Sequence, residues 1–305
     1  MNGVARFAAV LAVSLLGSCA SNQAAQPAQT TPAAQPVQSA QAAQPAQAAT
    51  PAAAPQPGKL EVLWLGHSAF RIVTPGGKVI VIDPWLRTNP STPAAYRDLR
   101  ALGKVDLLLV THGHSDHVAD APELARINRA RIYSPAGLGA TLITLGEIAA
   151  ELAPGMNKGG EVMPLGPGIK LHMVHAEHSS EYRHKNPISG REENYPAGEP
   201  VGWIIELENG FKIYYTGDTG LFGDMKLIGE FYKPDLLLLP IGGVFTMNPE
   251  LAAYAVREMI KPKFAIPMHY GTYPNLAGKP EDFVKALGDG PTKAIVLQPG
   301  EKVTF

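Results

Sequence analysis

The run Thr111-His112-Gly113-His114-Ser115-Asp116-His117 places three imidazoles and one carboxylate within six residues. It follows an apolar, branched stretch, 105–110, that reads as a buried strand. His112 and His114 are two apart on extended backbone, so their side chains project to the same side. Asp116 and His117 fall where the chain turns away, ahead of a helix expected over 122–128. One cation cannot readily use all four groups, because zinc prefers about four tetrahedral ligands and a reactive site keeps one position open. The spacing therefore predicts two adjacent metals, one facing His112 and His114, the other facing Asp116 and His117. The bland alternative is a polar loop with scattered histidines, but so dense a cluster at a strand end is what ordinary cores avoid.

Four further groups follow expected strands. His178 comes after 169–175, Asp218 after 211–216, His269 after 263–267, and Asp83 after 79–82. Loops at strand ends, held by a rigid sheet, are where sites are assembled. His178 would complete three nitrogen ligands with His112 and His114. His269 would join Asp116 and His117. Asp218, between two glycines, is the simplest bridge between both metals. A water shared by two such cations loses its proton near neutral pH and becomes a bridging hydroxide. Neutral imidazole suits Zn2+, and the carboxylates leave Mn2+ or Fe open. His172 and His175 are expected mid-strand and His184 in a polar loop, all three with structural or surface roles.

The remainder of the chain bounds the setting. Of 305 residues, 45 % are hydrophobic and 17 % charged, with a formal net charge of -1, which argues against a nucleic-acid partner. The apolar run 7–16 is too short for a comfortable membrane span and ends in Leu16-Gly17-Ser18-Cys19. This resembles the lipobox of bacterial lipoproteins, with residues 1–19 as the signal peptide. Cys19 is the sole cysteine, so it forms no internal disulfide, and it becomes the expected lipidation site. Ala20, in place of aspartate, favours a lipid-anchored protein at the outer membrane facing the periplasm. Residues 20–58 are almost wholly Ala, Gln, Pro, Thr and Ser, and read as a disordered tether.

From residue 59 to 305 the composition is globular and sufficient for one large domain. Strands are expected over 60–65, 69–73, 79–82, 105–110, 131–134, 169–175, 201–207, 211–216, 236–240, 263–267 and 294–298. Gly76-Gly77 and Asn209-Gly210 mark hairpin turns. Helices are expected over 122–128, 138–150, 249–260 and 280–287, three of them opening at or near a proline. Hairpin runs with interspersed helices predict two mixed sheets covered by helices.

Together these residues resemble the metallo-β-lactamase superfamily, whose hallmark is T-H-x-H-x-D-H followed by a separated His, Asp and His. Trp64-Leu65-Gly66-His67-Ser68, Ile82-Asp83-Pro84, Gly217-Asp218-Thr219-Gly220, Pro240-Ile241-Gly242 and Met268-His269-Tyr270 are similar to motifs of its metal-dependent hydrolase family. Relatives of that family include an ascorbate-phosphate lactonase and a phospholipase D acting on N-acyl phosphatidylethanolamines. The resemblance covers 59–305 and implies an αββα sandwich with the metals at one edge of the two sheets. The chain departs from the family in three ways. Family members generally lack a signal. Residues 181–199, polar and rich in Gly and Pro, look like an insertion. Gly243-Val244 stands where an acidic residue is expected after Pro-Ile-Gly, so a supporting hydrogen bond would be absent.

Asp83 is expected behind the metals, fixing the ring of one ligand histidine. His67 either caps the tight Gly66-His67-Ser68 turn or contacts substrate or a transition-state oxygen. Asp116 is expected to orient the hydroxide as well as bind metal. The function expected is hydrolysis of an ester, lactone, amide or phosphodiester in a small-molecule or lipid-like substrate. The alternative is a metal-dependent sensor or binding protein, or an iron-bearing oxidoreductase. The first would be favoured by a missing ligand, the second by an acidic replacement and a cofactor domain; the chain has all seven candidate ligands and neither feature.

Overall fold

The computed structural model describes residues 58–305. The signal-like segment with Cys19 and all but the last residue of the tether lie outside the described residues. Two seven-stranded sheets form the inner layers. The first runs, edge to edge, Lys302–Thr304, Glu61–Gly66, Ala69–Val73, Val79–Ile82, Leu107–Leu109, Arg131–Pro135, Gly155–Met156. The second runs Lys293–Ala294, Phe264–Met268, Leu236–Pro240, Lys212–Tyr215, Val201–Glu206, Lys170–His175, Glu161–Val162. Strands joined by tight turns pair antiparallel, and strands separated by helices pair parallel, so both sheets are mixed.

Alternation along each strand divides the core. Val62, Trp64, Phe70, Ile72, Ile80 and Leu107 point between the sheets, where they meet Leu171, Trp203, Ile205, Tyr215 and Leu238. Their neighbours Leu63, Leu65, Val81 and Leu108 face outward onto Leu124, Leu138 and Leu142 of helices Ala121–Asn128 and Ala136–Thr144. On the far side, Tyr214, Leu237 and Leu239 pack on Ile228, Val256 and Phe283. Strands buried on both faces read as continuous apolar runs, which is why they were legible. The result is the two helix-covered mixed sheets that the pattern predicts, in the αββα sandwich that the resemblance implies.

Several boundaries differ from expectation. The helix expected over 138–150 is Ala136–Thr144, closed by Leu145 and a left-handed Gly146. The strand expected over 294–298 is only Lys293–Ala294. Helix Met225–Tyr232 escapes the pattern because Leu227 and Phe231 are exposed and Gly229 sits mid-helix. There a Cβ would press on the Ile260 backbone, so glycine lets two helical segments touch. The polar segment 181–199 is not a plain loop: Glu181–Lys185 pairs antiparallel with Glu192–Pro196. His184 therefore lies on a strand, its Nδ1 3.1 Å from Glu147 Oε1. Among the described residues, no helix is long and apolar enough to cross a membrane.

Candidate metal centre

Strand ends from both sheets converge on one edge of the sandwich. His67 follows Glu61–Gly66, Asp83 follows Val79–Ile82, and His112 lies three residues beyond Leu107–Leu109. Asp116 and His117 ride the short helix Ser115–Val118. His178, Asp218 and His269 follow Lys170–His175, Lys212–Tyr215 and Phe264–Met268. Two glycines allow this convergence. A Cβ at Gly113 would strike Ala197 and the Glu181 carbonyl, and one at Gly217, where φ is 64°, would lie 2.7 Å from the Val201 carbonyl oxygen.

The far nitrogens of three histidines are committed. The Thr111 hydroxyl donates to Asp83 Oδ2 at 2.7 Å, so it accepts from His112 Nδ1 at 2.9 Å. That assigns the proton to Nδ1 and leaves the His112 Nε2 lone pair pointing forward. His117 Nδ1 donates to Asp83 Oδ2 at 2.8 Å, freeing its Nε2 in the same way. His114 Nε2 lies 3.2 Å from Glu181 Oε2, which turns His114 Nδ1 toward His112 Nε2 at 2.9 Å.

The forward-facing atoms form overlapping groups whose ligand atoms lie within 4.8 Å of one another: His112, His114 and His178; His67, Asp116, His117 and His269; and His112, His117 and Asp218. Asp218 Oδ2 reaches both sides, at 3.3 Å from His117 Nε2, 2.9 Å from His269 Nε2 and 3.7 Å from His178 Nε2. All seven sequence-predicted ligands are thus brought together. Buried His117 Nε2, Asp218 Oδ1 and both ring nitrogens of His269 make no hydrogen bond, although unpaired buried polar atoms are costly. Close approach without hydrogen-bonding angles, with lone pairs aimed inward, is a donor set that suits a cation.

The electrostatics point the same way. Burial alone would raise the Asp218 carboxyl, but His117 and His269 hold it well below the carboxylate range. Burial alone would lower His117, yet Asp218, Asp83 and Asp116 push it well above the ordinary imidazole value. Burial drives His112 well below that value, with His117 reinforcing it. Three carboxylates therefore surround one point that calls for positive charge.

His67, expected either to cap its turn or to contact substrate, is buried beside Asp116. Its side chain is 1 % exposed, with Nε2 3.0 Å from Asp116 Oδ2 and Nδ1 3.0 Å from Thr272 Oγ1. Burial, reinforced by His269, lowers its pKa to about 4. The ring thus lies between Thr272 and Asp116 of the candidate ligand set. His67, Asp83 and His269 have φ of 55°, 44° and 55°, a left-handed conformation uncommon outside glycine that gathers at functional sites.

Sequence reasoning missed Thr111, Tyr215, Thr272 and Glu181. The Tyr215 hydroxyl is 2.8 Å from both Ser68 O and Asp83 Oδ2. Glu181 follows His178 by three residues in a polar stretch, and only the hairpin fold brings it to His114. His172, 3.5 Å from Glu161, and His175, beside Lys158 and Glu177, stay outside the centre. A cleft of about 300 Å3 opens onto His114, Asp116, His178, Asp218 and His269.

Residues 78–270 match the family described as the beta-lactamase superfamily domain. The chain is also 62 % identical over 257 residues to a metal-dependent hydrolase of Cupriavidus necator, covering 84 % of this chain and 89 % of that protein. The chain belongs to the metal-dependent hydrolase family of the metallo-β-lactamase superfamily. A family member from Roseiflexus sp. is 42 % identical over 246 residues, covering 80 % of this chain and 96 % of that one. Among solved structures, a metallo hydrolase from the hyperthermophilic archaeon Ignicoccus hospitalis superposes with a TM-score of 0.70 at 36 % identity. That alignment covers 81 % of this chain and 98 % of the archaeal one, so the metallo-β-lactamase fold spans essentially all of the described residues.

Proposed function

We propose that the protein is a hydrolase that works with two divalent cations, Zn2+ foremost, and cleaves an ester, lactone or phosphodiester bond. The observation that carries this reading is the double commitment of the histidines: far nitrogens bound to Thr111, Glu181 and Asp83, near nitrogens turned toward one another at one edge of the sheets. His112, His114 and His178 would hold one cation, Asp116, His117 and His269 the other, with Asp218 between them. Bound there, the cations would lower the pKa of water and polarise the bond under attack.

The chain's own groups would do the rest. Asp116, a quarter exposed to the cleft, accepts a hydrogen bond from the attacking water and fixes its direction. His67, neutral and anchored by Thr272, holds Asp116 Oδ2 in place. Asp83 keeps His112, through Thr111, and His117 in their ligating tautomers. Purified protein reconstituted with zinc should carry close to two metals per chain by elemental analysis and should hydrolyse members of an ester, lactone and phosphodiester panel. A ceiling of one metal would sink the two-cation reading; metal-replete protein inert across the panel would sink the hydrolase reading and favour a binding role.

We also propose that residues 1–19 direct export and that Cys19 carries the lipid that holds the protein at the outer membrane. The support is the position of the sole cysteine at the end of a signal-like apolar run.

A further inference from the structure

The cleft has two unlike walls. One is the metal-ligand set. The other is Phe245, Tyr273 and Leu276, with no Lys or Arg among the residues lining either side. Leu276 is 2 % exposed and forms a floor, while Phe245 is 57 % and Tyr273 42 % exposed at the mouth. Tyr273 is fixed by stacking on Trp85, ring centroids 5.8 Å apart and 22° between planes.

Phe245 is also held in place. The turn carrying it is pinned by Met247 N to Thr219 O at 3.1 Å and Gly243 N to Met247 O at 3.1 Å. Next to it Val244 has φ 57°, which a β-branched residue rarely adopts. A strained backbone that keeps a large apolar ring in water beside a reactive cleft suits a subsite for an apolar group.

Resting on the hydrolase reading above, we propose that the substrate carries an uncharged, apolar acyl or aryl group that lies against Phe245, Tyr273 and Leu276. With a carboxylic ester, water oxygen bonds to the carbonyl carbon, the acyl C–O bond breaks, one water proton passes to the departing alkoxide, and the other is lost from the carboxylic acid product.

The test uses the zinc-loaded full chain with p-nitrophenyl acetate, butyrate and octanoate. kcat/KM should rise about fourfold per added methylene until the cleft is filled, the value expected for burying one such group. The octanoate-to-acetate ratio should collapse at least tenfold in Phe245→Ala, whose exposed ring makes little contribution to folding, and in Tyr273→Ala. A chain-length ratio unmoved by both variants overturns the proposal. A second measurement separates this from failure of the hydrolase reading: calorimetric titration of the zinc-loaded full chain with acetamide and octanamide. Octanamide should bind at least tenfold tighter than acetamide in the wild type and not in Phe245→Ala. If no substrate is turned over and this preference holds, the hydrolase reading fails and the apolar subsite stands. Absence of the preference overturns the subsite.

Discussion

Asp83 Oδ2 lies 2.8 Å from His117 Nδ1, and both side chains are fully buried. The same carboxylate takes the backbone N–H and the hydroxyl of Thr111, so one residue behind the centre sets the rings of His117 and, through Thr111, His112. Asp83→Asn keeps the shape but removes the charge, and its NH2 cannot accept from Thr111 or Tyr215. Zinc affinity should fall 10–100-fold, the usual effect of losing a carboxylate behind a ligand histidine. Competition with a chromophoric chelator measures it, and an unchanged affinity would show that Asp83 does not set the tautomers.

Asp116 is the ligand candidate with a foot in both camps: Oδ2 is 3.0 Å from buried His67 while the side chain remains a quarter exposed to the cleft. Asp116→Asn, assayed at full metal occupancy, should lower kcat by about 10² or more, because the attacking water loses a charged acceptor that orients it. His67→Gln should give a smaller loss in kcat with little change in KM, since it acts only by holding Asp116. Full activity in metal-replete Asp116→Asn would refute the role.

The sheets were legible because strands buried on both faces, such as Val79–Ile82 and Leu236–Pro240, are unbroken apolar runs. The candidate ligands were legible by the density of the H-x-H-x-D-H cluster and by their places in the loops just after strands, His269 directly after Phe264–Met268. What lies behind the ligands was less legible. Asp83 could be proposed from its place at a strand end, but Thr272 and Tyr215 are ordinary in sequence and reach the centre only through tertiary folding. His67 was legible as a candidate, but its burial beside Trp85 and Tyr273 and its contact with Asp116 come only from the fold. Met225–Tyr232 was missed because two large apolar residues face solvent and blur its period.

Expressed in a bacterium with an outer membrane, the full chain should yield a mature N-terminus at Cys19 bearing lipid. The reason is the coincidence of the sole cysteine with the end of an apolar run too short to span a membrane. Attachment by more than one chain is strong enough to hold the protein stably, whereas a single chain is marginal. Mass spectrometry of the N-terminal peptide decides it; cleavage elsewhere, or an unmodified residue 19, would rule the anchor out.

Glu181 offers a way to separate the two halves of the centre. Its Oε2 lies 3.2 Å from His114 Nε2, on the hairpin that covers Gly113, whereas His117 is backed by Asp83 and the ring nitrogens of His269 make no hydrogen bond. Unlike Asp83, its side chain is half exposed, so water can replace it and the effect should be smaller than that of the buried carboxylate. Glu181→Ala should weaken binding of one zinc by about tenfold, the lower end of what loss of such a partner costs, and leave the other within about twofold. Glu181→Gln keeps an oxygen that accepts from His114 Nε2 and should restore most of that loss. A stepwise chelator titration reads the two metals separately. A single shifted step, recovered by Gln, identifies Glu181 as the group that orients His114. Equal shifts of both steps, or no difference between Ala and Gln, would mean that the hairpin merely supports the fold around the metals.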